Sequence, residues 1–315
     1  MYDRLRAELN EQAYRERTAH EADILRRIQQ ARAERDRQRL PPSPSPAADM
    51  PPAPPPEPKV IPLRFYAHGI NFGRIVESGK LTETDLVIPV KQIQHTLVGG
   101  VPGSGKTVWL HAVIAQLLRS NEVHRLVLID LKAGVEFEMY AGHPKARVCS
   151  DIERVAEVFE QLVSMLHDRL QMMRGGKLRT WPGERVFVIV DEYAMLHGFI
   201  GEAKAKGQKE LAARLANDLR ELVLMARAAG IVLICALQKP TSDAIDSNLK
   251  ANMGFRACFR VKTRQATEAV LEASSDDLPI DPRDLRVGRF VFDDGRAYER
   301  VQAPIAPGLD LSGGW

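Results

Sequence analysis

Cysteine is scarce in this chain. Cys149, Cys235 and Cys258 are its three in 315 residues. They are too few and too scattered for a disulfide framework or a zinc site. All three lie in or beside apolar runs, the pattern of buried thiols in a reducing cytoplasm. The eight histidines show no metal-ligand spacing. No stretch approaches the ~20 consecutive apolar residues of a membrane span, which excludes an integral membrane protein for this chain. Charge from Asp3 onward excludes a secretory signal peptide, so a cytoplasmic protein is expected. An excess of one charge sign is also lacking. Lys and Arg number 44 against 41 Asp and Glu, and the net +3 neither points to nucleic acid nor excludes it.

What is present is unevenly placed. Eleven of the 20 prolines fall between Pro41 and Pro62. Each removes a donor and fixes φ, so residues 41–59 read as a semi-rigid, Pro-rich linker. Residues 1–40 hold ten arginines, eight acids and no lysine. Leu5, Leu9 and Ala13, then Leu25 and Ile28, fall at helical spacing on a thin stripe. Glu11 with Arg15 and Asp23 with Arg27 stand at i,i+4. The segment reads as an exposed N-terminal helix: a solvated tail, a short coiled-coil contact, or a basic arm on DNA or a protein partner. Residues 60–303 have globular composition, and residues 304–315 form a C-terminal tail.

Within the globular part, apolar runs alternate with helical patterns. Strands are expected at Val60–Phe65, Leu86–Val90, His95–Val98, Leu126–Asp130, Val186–Asp191, Ile231–Ala236 and Arg256–Val261. Helices are expected at Lys106–Arg119, Ile152–Met173, Leu211–Ala229 and Ala244–Lys250. This alternation predicts an α/β fold, a parallel central sheet flanked by helices.

Gly100-Val-Pro-Gly103-Ser104-Gly105-Lys106-Thr107 satisfies G-x-x-x-x-G-K-[ST], with an apolar strand before it and a helix opening at Val108 after it. Glycines let successive N–H groups turn toward one anion, and the helix N-terminus adds its positive end. Lys106 is expected on the β- and γ-phosphates of ATP, and Thr107 on Mg²⁺. The apolar run Val186–Val190 ends in Asp191 and Glu192. Asp191 is expected to hold Mg²⁺ and Glu192 to polarise an attacking water; the alternative is an acid pair capping the next helix. Gln238 follows the next apolar strand, as a phosphate sensor or a polar loop residue. Arg256 opens a further strand, as a charge-neutralising group for a neighbour's site or as a local ion pair.

The strings HTLVGGVPGSGKTV, LVLIDLKAGVEFEMYAG, VFVIVDEYAML, LMARAAGIVLICALQKPTSDAI and NLKANMGFRACFRV resemble the motor domain of the FtsK/SpoIIIE family of DNA translocases, over roughly Leu86 to Phe292. The resemblance implies a RecA-like P-loop NTPase that forms a hexameric ring around double-stranded DNA and hydrolyses ATP between subunits. Arg256 then matches the trans-acting arginine, Lys132 the lysine after the second strand, and Arg227 the arginine of the ARAAG run. Lys262 and Arg264 match the pore-facing segment, with Arg286 and Arg289 as further DNA contacts. Glu268 stands where the family usually carries arginine, and Arg289 where it usually carries aspartate. Chromosome-segregating members add membrane helices ahead and a winged-helix module behind; neither is read here, so directional reading of DNA is not expected.

The resulting expectation is an ATP-driven DNA translocase serving DNA transfer by a plasmid, mobile element or virus, or chromosome partition. The alternatives are a protein-secretion ATPase of the same family and an ATP-switched adaptor. The loops Met173–Trp181 and His197–Glu210 either line a channel or are solvated connections.

Overall fold

The computed structural model describes residues 61–132, 134–241 and 245–306. The expected arm at 1–40, the linker at 41–59 and most of the tail at 304–315 lie outside the described residues. Ten strands form one sheet in the order β2-β1-β10-β9-β8-β3-β7-β6-β4-β5. They are β1 (Ile70–Glu77), β2 (Lys80–Ile88), β3 (Thr96–Gly99), β4 (Val123–Ile129), β5 (Ala146–Cys149), β6 (Arg185–Val190), β7 (Ile231–Leu237), β8 (Phe255–Phe259), β9 (Arg289–Asp293) and β10 (Tyr298–Gln302). The helices are α1 (Lys106–Arg119), α2 (Ile152–Gly175), α3 (Tyr193–Glu202), α4 (Lys206–Met225), α5 (Ser247–Asn252) and α6 (Arg264–Leu271).

The expected parallel central sheet is present, as the core of a larger mixed sheet. β8, β3, β7, β6, β4 and β5 are parallel neighbours. β9, β10, β1 and β2 extend them as an antiparallel meander. The cause is turn chemistry. Ser78 and Gly79, both with positive φ, connect β1 to β2 in two residues, which forces a hairpin. The expected strand at Val60–Phe65 reduces to one bridge between Pro62 and Ile305. Of the expected strand Leu86–Val90, Leu86 to Ile88 are the end of β2, and Val90 opens a 3₁₀ turn at Val90–Gln92. The segment His197–Glu210 is mostly helical: it is the end of α3 and the start of α4, joined through residues 203–205.

Strand alternation feeds two cores. Val186, Val188 and Val190 of β6, with Ile231, Leu233 and Cys235 of β7, face the layer of α2, α4 and α6. Phe187 and Ile189, with Val232, Ile234 and Ala236, face the opposite layer, where α1 packs with Phe72, Phe290 and Phe292 of the meander. A central strand buried on both faces needs no polar alternation, so these runs read as continuous apolar sequence.

The meander is fastened to α1 by side chains. A register shift between Asn71 and Gly73 interrupts the β1–β2 ladder. Gln116 supplies what the bulge takes away: its Oε1 accepts from the Asn71 N–H at 2.7 Å, and its Nε2 donates to the Asn71 carbonyl at 2.9 Å. Trp109 donates from Nε1 to the Phe72 carbonyl at 2.8 Å, and its ring packs edge-on to Phe72. No helix among the described residues is long and apolar enough to cross a membrane.

Candidate nucleotide site

Four parallel strands deliver this site. β3, β7, β6 and β4 are successive neighbours, so their carboxyl ends share one edge. The loop Gly100–Gly105 leaves β3, Gln238 follows β7, Asp191 and Glu192 follow β6, and Asp130 follows β4. Residues from 100 to 238 therefore meet because short strands end together.

The loop is shaped for close approach to an anion. Gly103 and Gly105 have φ of 72° and 97°, a region that favours glycine. A Cβ on Gly100 would meet Phe259 Cβ at 2.6 Å and Ser104 Oγ at 2.7 Å. The loop backbone is anchored from three sides: Gly100 N–H donates to Leu237, Val101 N–H to Arg260, and Gly288 N–H to the Ser104 carbonyl, at 2.8–3.1 Å. The Ser104 hydroxyl is buried and finds no hydrogen-bond partner among the described residues. α1 begins at Lys106 with no side-chain cap, and Thr107 and Val108 form its half-buried first turn. A glycine nest, an orphan hydroxyl and uncapped helix N–H groups together fit a phosphate chain.

Lys106 is 3% exposed, and its Nζ donates to the Asp191 carbonyl at 3.2 Å and to Asp191 Oδ1 at 3.3 Å. The ammonium thus spans β7 to reach the end of β6. Glu192 occupies the N-cap position of α3, yet its carboxylate does not cap that helix. Both its oxygens accept from the Gln238 N–H at 3.3 Å. Burial pushes the Glu192 carboxyl above its ordinary range, against the opposing pull of the Gln238 N–H and Lys106. Gln238 Oε1 in turn accepts from Lys132 Nζ at 2.7 Å. Asp130 accepts the N–H groups of Lys132 and Glu136, at 3.2 and 2.9 Å, which folds that loop beside the phosphate loop. A carboxylate whose proton affinity is raised by burial, next to a carboxylate paired with lysine, can serve as a base beside a cation-binding position.

Arg256 lies elsewhere. It is the second residue of β8, level with Leu97 of β3, towards the amino end of both strands. It donates to the Lys250 carbonyl at 3.0 Å and pairs with Glu272. Within this chain it is a local ion pair and is not brought to the phosphate loop. Lys262, Arg264 and Arg286 are exposed and stand at the phosphate-loop edge. They do so because β9 runs antiparallel to β8 and begins where β8 ends, with Phe290 opposite Phe259. Arg289 is half-buried and donates to Gln302 Oε1 and the Gly79 carbonyl, at 3.2 and 3.4 Å. Sequence alone does not single out Arg260 or Arg283. Both line a cavity of about 470 Å³ against Val101, Pro102 and Lys262. Arg260 carried a signal, as a cation at the exit of an apolar strand; Arg283 carried none.

Residues 68–183 match the model of the FtsK/SpoIIIE family. Protein Tra of Streptomyces lividans is 33% identical over 200 residues, which cover 60% of this chain and 32% of that protein. The DNA translocase FtsK of Staphylococcus aureus is 27% identical over 225 residues, covering 64% of this chain and 26% of that protein. The chain therefore spans about a third or less of the length of these curated relatives. Among solved structures, the pCW3 conjugation coupling protein TcpA, in its monomer form with ATPgS, superposes with a TM-score of 0.66 at 25% identity, covering 79% of this chain and 70% of that one. A phosphate loop between β3 and α1, acids at the end of β6 and the match over residues 68–183 converge on one conclusion: this chain is similar, over that segment, to the P-loop ATPases of the FtsK/SpoIIIE family.

Proposed function

We propose that this chain is an ATP-driven double-stranded DNA translocase, a ring-forming motor that couples ATP hydrolysis to DNA movement. The observation that carries the reading is the convergence of Lys106, Asp191, Glu192 and Gln238 on one sheet edge that also presents Lys262, Arg264 and Arg286. The names of the relatives point the same way: a DNA translocase and a conjugation coupling protein. Residues 60–303 would form the motor, in a hexameric ring in the cytoplasm, serving DNA transfer or chromosome partition. Residues 1–40, on the tether 41–59, would be free to meet a protein partner.

In this reading the backbone N–H groups from Gly100 to Val108 cradle the phosphates, and Lys106 leaves Asp191 for the β- and γ-oxygens. Thr107 and Asp191 would hold Mg²⁺, which supplies charge neutralisation when bound. Among the described residues no group of three or more His, Cys, Asp or Glu side chains could hold a metal alone, so the remaining ligands would be phosphate and water. Glu192 takes a proton from the attacking water, and the Gln238 N–H fixes the carboxylate's orientation. Lys132 and Gln238 report the state of the γ-position across β7 and β4. Arg256 would serve a neighbouring subunit's phosphates once its pair with Glu272 opens. The exposed Lys262, Arg264 and Arg286, with Arg289 beside them, would grip DNA phosphates without reading sequence.

The test is the ATPase rate of the full chain with and without duplex DNA, across a salt series. DNA is expected to raise the rate several-fold, with a stimulation that falls steeply as salt rises. A rate indifferent to duplex DNA at every salt concentration would overturn the reading.

A further inference from the structure

At the sheet edge opposite the phosphate loop, five cations from five separate segments line one cavity of about 770 Å³. Lys91 comes from the turn before β3, Arg179 from the connection after α2, and Arg185 from the start of β6. Arg227 comes from the turn after α4 and Arg296 from the β9–β10 turn. One carboxylate, Asp294, joins them in the wall. The six residues of β6 separate this edge from Asp191, a span of roughly 20 Å at 3.3 Å per residue.

The walls are built rather than merely basic. Arg169, stacked 4.7 Å from the Trp181 ring centre, donates to the carbonyls of Ala229 and Glu184 at 2.9 and 3.3 Å. The Trp181 backbone N–H donates to the Ala228 carbonyl at 2.8 Å. These bonds tie the segment bearing Arg179 and Arg185 to the turn bearing Arg227. Arg227 is steadied by Gln94 Oε1 at 2.7 Å. Arg185 is 6% exposed. Its Nη1 donates to the Ile93 carbonyl at 3.2 Å, but its buried Nε has no hydrogen-bond partner among the described residues. A buried, charged donor without an acceptor is costly and asks for a ligand. Lys91 meets Glu122 at 3.9 Å, a loose and partly exposed pair that leaves its charge available. The positive field extends inward: His95 is pushed down to about 4 by burial first, then by Arg227 and Arg185.

We propose that this cavity is a second anion site, separate from the phosphate loop, for a ligand carrying several phosphates. Five cations against Asp294 and the loosely paired Glu122 leave an excess of about three positive charges, more than one carboxylate ligand would neutralise, and guanidinium forks match phosphate oxygens pairwise. A free polyphosphate and a run of backbone phosphodiesters offer the same chemistry. The proposal does not depend on the translocase reading, because none of its residues belongs to the nucleotide site.

The experiment uses the full chain carrying Lys106→Ala, which disables the phosphate loop. Tripolyphosphate binding is measured by calorimetry and binding of a short duplex by anisotropy. Arg179→Gln with Arg227→Gln is compared with Arg214→Gln plus Arg220→Gln, exposed arginines of α4 outside this cavity that remove the same charge. Arg179 and Arg227 are exposed, so the fold does not hang on them; Arg185 is left intact because it is buried. The pocket pair is expected to weaken tripolyphosphate about tenfold or more, against about twofold or less for the control pair. If tripolyphosphate alone weakens, the ligand is a free polyphosphate. If duplex weakens as well, the ligand is a phosphodiester run. If the pocket pair weakens neither probe beyond the control pair, the proposal falls.

Discussion

Glu192 shows how one side chain can trade stability for chemistry. Its carboxyl is held above the ordinary value chiefly by burial. The folded chain therefore binds that proton more tightly than the unfolded chain. Above the folded value the ionised group costs folding free energy; below the ordinary carboxylate value both states are protonated and the cost disappears. Glu192→Gln is thus expected to raise the melting temperature at neutral pH and to lose that gain as the pH falls. The same variant should lower ATP hydrolysis by about 10²-fold or more while retaining nucleotide. Calorimetric melts across pH, with ATPase assays in parallel, check both halves. The acid limb of the wild-type pH profile should lie above the usual carboxylate range, since the base must be ionised to work. At this scale the sequence was highly legible: the glycine spacing, Lys106 and the acids after an apolar run name themselves. Arg169 was not. It reads as a cation intruding on the apolar face of α2, and only the folded chain reveals the carbonyls of residues 184 and 229 that it serves.

Elements were legible where one strand's sequence carried its own pattern, and obscure where its role depended on a distant partner. β6 and β7 are uninterrupted apolar runs and declare themselves. β1 reads INFGRIVE, broken by Asn71 and Gly73, and its neighbour β10 lies more than 200 residues away. The glycine is required there, since a Cβ on Gly73 would meet the Gln302 carbonyl at 2.3 Å. What holds this irregular strand is Gln116, a residue that looks like an ordinary polar position on α1. Replacing it with leucine should leave the Asn71 N–H and carbonyl buried and unpaired. The expected loss is about 2 kcal/mol or more in urea unfolding. If unfolding is unchanged, water can replace the Gln116 amide and the meander does not depend on this brace.

Across the molecule, the two ends of the sheet have different characters. One end gathers the phosphate loop and its acids. The other gathers Arg256 and the cavity of Arg179, Arg185 and Arg227. If hydrolysis is completed by a neighbour's Arg256 in a ring, subunits cannot act independently. Doping wild-type chain with Glu192→Gln chain should then depress DNA-stimulated ATPase faster than the inactive fraction rises. A strictly proportional loss would mean that each chain works alone. The parallel order of β8, β3, β7 and β6 creates this polarity, which strand–helix alternation already implied, whereas the cation cavity depends on turns that no single segment's pattern brings together.

In the structure Lys106 pairs with Asp191 at 3.3 Å, so that carboxylate is neutralised within the chain. A phosphate that draws the ammonium away strands a buried carboxylate that then needs another cation. If Asp191 holds a divalent ion as proposed, nucleotide should raise the affinity for that ion, and the ion should raise the affinity for nucleotide by the same factor. Half-loaded forms each hold an uncompensated charge and are disfavoured on both sides. On the proposed reading, one lysine–aspartate contact would make loading cooperative, a two-key lock in which neither ligand enters easily without the other.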